Sequence, residues 1–205
     1  MPFTLAHPAA VLPLRRGPLV GAALVAGSMA PDVPYFLVDL GIPNSAQAWY
    51  EPFLNGTTSH SLAGVLTVDL PAALVLYLAW LLVCRPLTGK PVARENVGWI
   101  AVSLLLGIAT HLVWDELTWT RLVQHLSTAF GLTVVVVFLW QRRPEQLDRR
   151  LFAIPVVAAV GAAAGVARLD EFTAELVLSG AAKGAIVAVT IALAAYVAVW
   201  WARRV

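Results

Sequence analysis

Four histidines, His7, His60, His111 and His125, each lie beside or within an apolar stretch, and carboxylates stand near them. Imidazole nitrogen and carboxylate oxygen are ligands for zinc, and they are also the acid and base groups of proton-transfer sites. The tightest arrangement is Gly107-Ile108-Ala109-Thr110-His111-Leu112-Val113-Trp114-Asp115. On a helix His111 and Asp115, four residues apart, share one face. Such a pair can hold one metal ion, or the carboxylate can orient the imidazole by accepting its other N–H. A hydrogen bond that merely glues two packed helices is the alternative that spacing leaves open. The one cysteine, Cys84, sits in an apolar run, so a metal here must use His, Asp or Glu.

The elements that must position these groups are membrane helices. Of 205 residues, 60% are hydrophobic and 13% charged, with a mean hydropathy of +0.78. A soluble domain runs nearer to 45–50% and about 25%. A span needs about 20 apolar residues, and six segments offer them: Gly17 to Leu40, Ser61 to Cys84, Val97 to Leu117, Leu126 (or Leu122) to Gln141, Leu151 to Ala167 and Phe172 to Ala202. The expected fold is all-α, a polytopic membrane bundle of about six hydrophobic segments with an N-terminal helical hairpin. It is a single domain over residues 1–205, with the His/Asp motifs in 1–132 and further membrane helices in 133–205.

The cations alternate as such a bundle requires. Arg15, Arg16, Arg85, Lys90, Arg94, Arg142, Arg143, Arg149, Arg150, Arg203 and Arg204 fall on one side, 11 of the 14 Lys and Arg residues. Cytoplasmic loops are enriched in Lys and Arg, so that side and the C-terminus are expected in the cytoplasm and the Gly41 to Thr58 loop outside. A cleaved signal ending at Ser28-Met29-Ala30 is disfavoured by Pro31 directly after it. The net charge is +2 with no basic stripe carrying interleaved aromatics, so nucleic acid is not an expected partner and the lipid bilayer is.

Depth adds to spacing. At 1.5 Å per residue, His111 lies about 21 Å above Val97, His125 about 24 Å above Gln141 and Asp32 about 21 Å above Pro18, while His60 tops its segment at the same end. Separate stretches thus deliver His or Asp to one layer near the outer leaflet. His7 requires the hairpin, running inward to a turn at Arg15-Arg16-Gly17-Pro18, and would stand about 12 Å above that turn, lower than the rest. Pro31 and Pro34 end a helix around Asp32. Such backbone is tolerated at depth where it lines a cavity, though Asp32 can also cap the short helix that follows. Asp69, Glu116, Trp114 and Trp119 are possible outer or lining residues, and Asp39, Glu51, Asp148, Asp170, Glu171 and Glu175 read as loop or interfacial charges.

Met1-Pro2-Phe3-Thr4-Leu5-Ala6-His7-Pro8-Ala9-Ala10, Gly27-Ser28-Met29-Ala30-Pro31-Asp32, Ser59-His60-Ser61, His111 to Asp115 and Gln124-His125-Leu126-Ser127-Thr128 resemble an uncharacterised family of bacterial integral membrane proteins. That family is similar to inner-membrane-bound metal-dependent hydrolases and, more distantly, to zinc-dependent phospholipase C. The resemblance covers about Met1 to Leu132. It implies the bacterial inner membrane, and His7, Asp32, His60, His111 and Asp115 as ligands of one or two divalent ions, zinc foremost. Asp32 would also be a candidate base, with Asp32, His111 and Asp115 as the catalytic group. Relatives often carry D-x-x-T-H where this chain has Asp115-Glu116-Leu117-Thr118-Trp119, so one further histidine is replaced by an aromatic residue.

Two enzymatic functions follow as expectations. The first is a membrane-embedded metal-dependent hydrolase acting on a lipid-like ester or phosphoester. The second is an isomerase or cyclase in which a buried Asp is the general acid toward an isoprenoid-like substrate, with Trp114 and Trp119 facing a developing cation. A non-enzymatic metal-binding membrane protein is the third reading, and His125 stands as either a ligand or an outer residue.

Overall fold

The computed structural model describes residues 3–39, 55–89, 94–142 and 153–204. Most of the Gly41 to Thr58 loop, with Glu51, and Lys90, Arg143, Asp148, Arg149 and Arg150 lie outside the described residues. Those described are helical or irregular, with no strand among them. The helices are α1 (Pro8–Val11), α2 (Gly21–Met29), α3 (Val33–Asp39), α4 (Gly56–Ser59), α5 (Leu70–Thr88), α6 (Val97–Leu117), α7 (Arg121–Gln141), α8 (Ala153–Val166) and α9 (Ala174–Ala202).

Four stretches are long and apolar enough to cross a bilayer: Val65–Thr88, which is a π-helical turn continued by α5, then α6, α7 and α9. At 21 residues α6 and α7 are each about 31 Å long, matching a hydrocarbon core of about 30 Å. Each starts at a polar cap. The Asn96 side chain accepts from the Gly98 and Trp99 N–H groups, and Thr120 and Thr173 accept from Val123 and Leu176 at the starts of α7 and α9. The Thr120 cap starts α7 at Arg121, five residues before Leu126. Leu126, Phe130, Leu139 and Leu178 are all more than half exposed, an apolar outer surface that suits lipid rather than water.

Two of the six expected segments differ from the long helices. The first is divided into α2, a 3-10 turn at Ala30–Asp32 and α3, because Pro31 and Pro34 supply no backbone N–H. The fifth gives α8, whose 14 residues reach about 21 Å. The N-terminal arm is likewise not one helix. A 3-10 turn at Thr4–Ala6, the four-residue α1 and a second 3-10 turn at Leu12–Leu14 lead to Gly17, whose φ of 63° turns the chain toward α2.

The core forms where α2 crosses α6 and α5. Val20, Ala23, Ala26, Ala30, Ala73, Tyr77, Leu104 and Ile108 are buried there together. Gly27 and Gly107 meet at the crossing. A Cβ on Gly27 would collide with the Leu104 carbonyl oxygen, and one on Gly107 with that of Leu24, so only hydrogen at both positions permits this approach. The Ser103 hydroxyl accepts from Val20 N–H at 2.9 Å and donates to the Trp99 carbonyl, satisfying a donor at the start of α2. The N-terminal arm packs on α6 and α7, held by Phe3 N–H to the Thr128 hydroxyl at 2.9 Å.

Candidate metal centre

The close crossing at Gly107 places the first imidazole. One turn further along α6, His111 is fully buried, and its Nδ1 lies 2.8 Å from the Ser28 carbonyl of α2. That carbonyl accepts the Nδ1 proton and leaves the Nε2 lone pair facing inward. His60, at the C-terminal end of α4, is oriented in the same way. Its Nδ1 is 2.8 Å from the Gly56 carbonyl and 3.0 Å from the Ser59 hydroxyl. The Ser59 hydroxyl is also 2.7 Å from the Pro31 carbonyl, which ties α4 to the turn bearing Asp32.

The inward atoms stand at ligand spacing. His60 Nε2 and His111 Nε2 are 3.2 Å apart, and Asp115 Oδ2 is 3.2 Å from the first and 3.4 Å from the second. Asp32 Oδ1 is 3.7 Å from both nitrogens. Two ligands held about 2.0–2.1 Å from one tetrahedral ion stand about 3.3 Å apart, so the spacings of His60 Nε2, His111 Nε2 and Asp115 Oδ2 are those of three ligands of one zinc ion, with Asp32 Oδ1 slightly farther off. His7 Nε2 faces the opposite oxygens, 3.6 Å from Asp115 Oδ1 and 4.0 Å from Asp32 Oδ2. Its ring stacks on that of His111 with centroids 3.8 Å apart. Two triads therefore meet metal-site spacing, His7 with His111 and Asp115, and Asp32 with His60 and His111.

The electrostatics favour a proton or a cation between these groups. Asp32 Oδ1 and both Asp115 oxygens are buried without a hydrogen-bond partner, and the nearest nitrogens of His60 and His111 point their lone pairs at them. Acceptors facing acceptors are stable only with a proton or a cation between them. The donor set of imidazole nitrogens and carboxylate oxygens fits zinc. Protons answer the same field in the metal-free chain. Burial alone lowers the His60 pKa, but the Asp115 carboxylate and the Gly56 carbonyl outweigh it and hold it above the ordinary imidazole value. That contribution to stability is present below the ordinary pKa and is lost as pH rises through the raised one.

Each sequence-derived candidate now has a place. His7, Asp32, His60, His111 and Asp115 come together from the arm, the turn after α2, the end of α4, and α6. His7 joins the cluster from the arm, although a uniform rise from the turn after it sets His7 lower than the other residues. Trp114 lies edge-on to His7 with centroids 5.9 Å apart and donates its indole N–H to Ser127 on α7. Asp69 is fully buried at the end of the π-helical turn, within electrostatic reach of His60 and His111, and neither of its oxygens has a hydrogen-bond partner. His125 and Glu116 are exposed and Trp119 is 83% exposed, so these three do not join the cluster. α7 turns Gln124, Ser127 and Thr128 inward, and His125 sits about 100° round from Gln124.

Several supporting groups were not evident from the sequence. Ser28 and Gly56 act through backbone carbonyls, which no residue type announces. Ser59 and Thr4, whose hydroxyl bonds to Asp32, lie within quoted motifs, but their roles depend on tertiary contact. Tyr35 brings its ring to 6.0 Å from that of His60 and fills the space where a side chain on Gly56 would go.

The chain belongs to a family described as a domain of unknown function, DUF4184, whose model matches residues 1–121. That span holds all five converging residues. No curated protein and no solved structure matches the chain.

Proposed function

We propose that this protein is a membrane-embedded, metal-dependent hydrolase of a lipid-like ester or phosphoester. The reading rests on one observation, the convergence of His60 Nε2, His111 Nε2, Asp115 Oδ2 and Asp32 Oδ1, with 3.2–3.7 Å between the measured pairs. His60 Nε2, His111 Nε2 and Asp115 Oδ2 would hold one zinc ion, leaving its fourth position to a water beside Asp32 Oδ1. His7 would serve as a further ligand, or would share a second ion with the outer oxygens of Asp115 and Asp32. Bound zinc supplies a water pKa near neutrality and a Lewis acid for the substrate's carbonyl or phosphoryl oxygen. The Asp32 carboxylate, fixed by the Thr4 hydroxyl, takes the proton of the attacking water and returns it to the leaving alkoxide. The Ser28 and Gly56 carbonyls hold the His111 and His60 rings at fixed tilt, so little reorganisation is needed on the way to the transition state.

A lipid-like substrate suits the surroundings. The cluster opens at His60 and Asp115, whose side chains are 19% and 11% exposed. Leu62, beside His60, and Leu117, beside the Asp115 turn, are strongly exposed and apolar, a surface for acyl chains next to a polar centre. We further place the protein in the bacterial inner membrane as a multi-pass bundle, its N-terminal arm folded back as a hairpin. Its Arg-rich ends and C-terminus lie in the cytoplasm and the site toward the outer leaflet.

The test is hydrolysis by detergent-purified protein of a panel of carboxyl-ester and phosphoester lipids. The expected result is turnover that a chelator abolishes, zinc restores and Asp32→Asn lowers by about 10²–10⁴-fold, the usual worth of a general base. Hydrolysis that survives complete metal removal, or none across the panel with metal loaded, would overturn the reading.

A further inference from the structure

The far end of the molecule carries a second polar feature, remote from the His/Asp cluster and independent of its function. Tyr196, Val199, Trp200, Arg203 and Arg204 line a groove of about 380 Å³ at the C-terminal end of α9. That volume lies within the range of about 300–1,000 Å³ typical of small-ligand sites. α9 has 29 residues and so spans about 43 Å, longer than a hydrocarbon core of about 30 Å, which carries this end into the headgroup zone.

The walls of the groove are fixed. Pro86 lies inside α5 and has no N–H to give to the Leu82 carbonyl four residues back. Trp201 donates its indole N–H to that carbonyl at 3.2 Å, and the Tyr196 hydroxyl donates to the Pro86 carbonyl at 3.4 Å. The break in α5 thus anchors the aromatic residues of α9. Two arginines are then laid on indole faces, Arg204 at 3.8 Å from the Trp200 centroid and Arg85 at 5.6 Å from that of Trp201. Such stacking orients a guanidinium without neutralising it. Among the described residues the arginine–carboxylate pair is Arg121 with Glu175, at the opposite end of α9, and no carboxylate pairs with Arg85, Arg203 or Arg204.

We propose that this groove binds the phosphate headgroup of an anionic phospholipid in the leaflet at the Arg-rich end of the bundle. The guanidinium groups of Arg203 and Arg204 supply forked donors to phosphate oxygens, and the indoles sit at the level of the glycerol backbone. The acyl chains run down the apolar flank of α9 beside Val199.

The test uses full-length protein in a neutral detergent, read by native mass spectrometry and by thermal melting. Phosphatidylglycerol, phosphatidylcholine of the same chains and inorganic phosphate are added in separate arms. Phosphatidylglycerol is expected to stay bound and raise Tm, and phosphatidylcholine and inorganic phosphate to do neither. Arg203→Gln with Arg204→Gln should weaken phosphatidylglycerol retention by about tenfold or more, and Arg121→Gln at the other end should leave it intact. Equal retention by the double variant, equal binding of phosphatidylcholine, or the full effect from inorganic phosphate alone would each overturn the proposal. The comparison of lipids on the wild-type chain stands even if the double variant folds poorly.

Discussion

Two helix crossings in this molecule use the same packing device and carry very different loads. At the α2–α6 crossing Gly27 and Gly107 bring backbone against backbone. At the α8–α9 crossing Gly161 and Gly165 do the same against the Gly184 and Gly180 carbonyls. The turns beyond the first crossing hold the Ser28 carbonyl and His111, and the whole His/Asp cluster gathers there. Ala, Val and Ile dominate the second, and among the described residues neither metal-spaced group includes a member of it. The family match covers the first crossing and ends before α8. Close glycine packing is therefore a general way to join membrane helices, and the chemistry depends on which polar groups stand one turn away.

The sharpest way to break this comparison is to widen each crossing in turn. Gly107→Val should push α2 from α6, cost at least the 1–3 kcal/mol or so of an overpacked core, and lose bound metal because Ser28 no longer orients His111. Gly165→Val should lower Tm in detergent by a similar amount and leave the metal content unchanged. Equal metal loss in both would mean that the cluster depends on global stability and not on its own crossing.

Smaller changes sharpen the picture inside the first region. Ser59→Ala removes a hydroxyl beside His60 Nδ1 and unties α4 from Pro31, so zinc affinity should fall about 10–100-fold, as for other outer-shell groups. A competition titration with a chelating dye measures it. Asp69→Leu removes a fully buried carboxylate that has no hydrogen-bond partner, and Tm should rise by the equivalent of about 1–3 kcal/mol. A lower Tm would show that Asp69 is a structural group. The smallest effects belong to the outward residues. His125→Ala and Trp119→Leu should change stability by no more than about 0.5 kcal/mol and leave zinc stoichiometry as it is.

The contrast also explains what the sequence could and could not convey. The long helices were legible because apolar runs of span length leave little choice of element. The i, i+4 pair of His111 and Asp115 was legible because helical periodicity alone puts both on one face. Depth arithmetic put Asp32, His60, His111 and His125 at one level, but rise along an axis says nothing about rotation around it, and α7 leaves His125 on its exposed side. His7 joins the cluster from an arm that alternates 3-10 and α turns, an alternation that no residue type in it announces. The Ser28 and Gly56 carbonyls were invisible, since backbone acceptors carry no sequence signature. Asp69 stands at the end of a π-helical turn, where a 3.6-residue periodicity does not set which way a side chain faces.

The central claim is that five side chains from four separate stretches form one metal site, and metal content tests it most directly. Elemental analysis of detergent-purified wild type should find one or two zinc ions per chain, as the two overlapping triads allow. His111→Ala and Asp115→Ala should lose them, and Gly165→Val should keep them. Folded wild-type protein with no stoichiometric metal after zinc loading, or the same zinc content in His111→Ala and Asp115→Ala, would contradict the account.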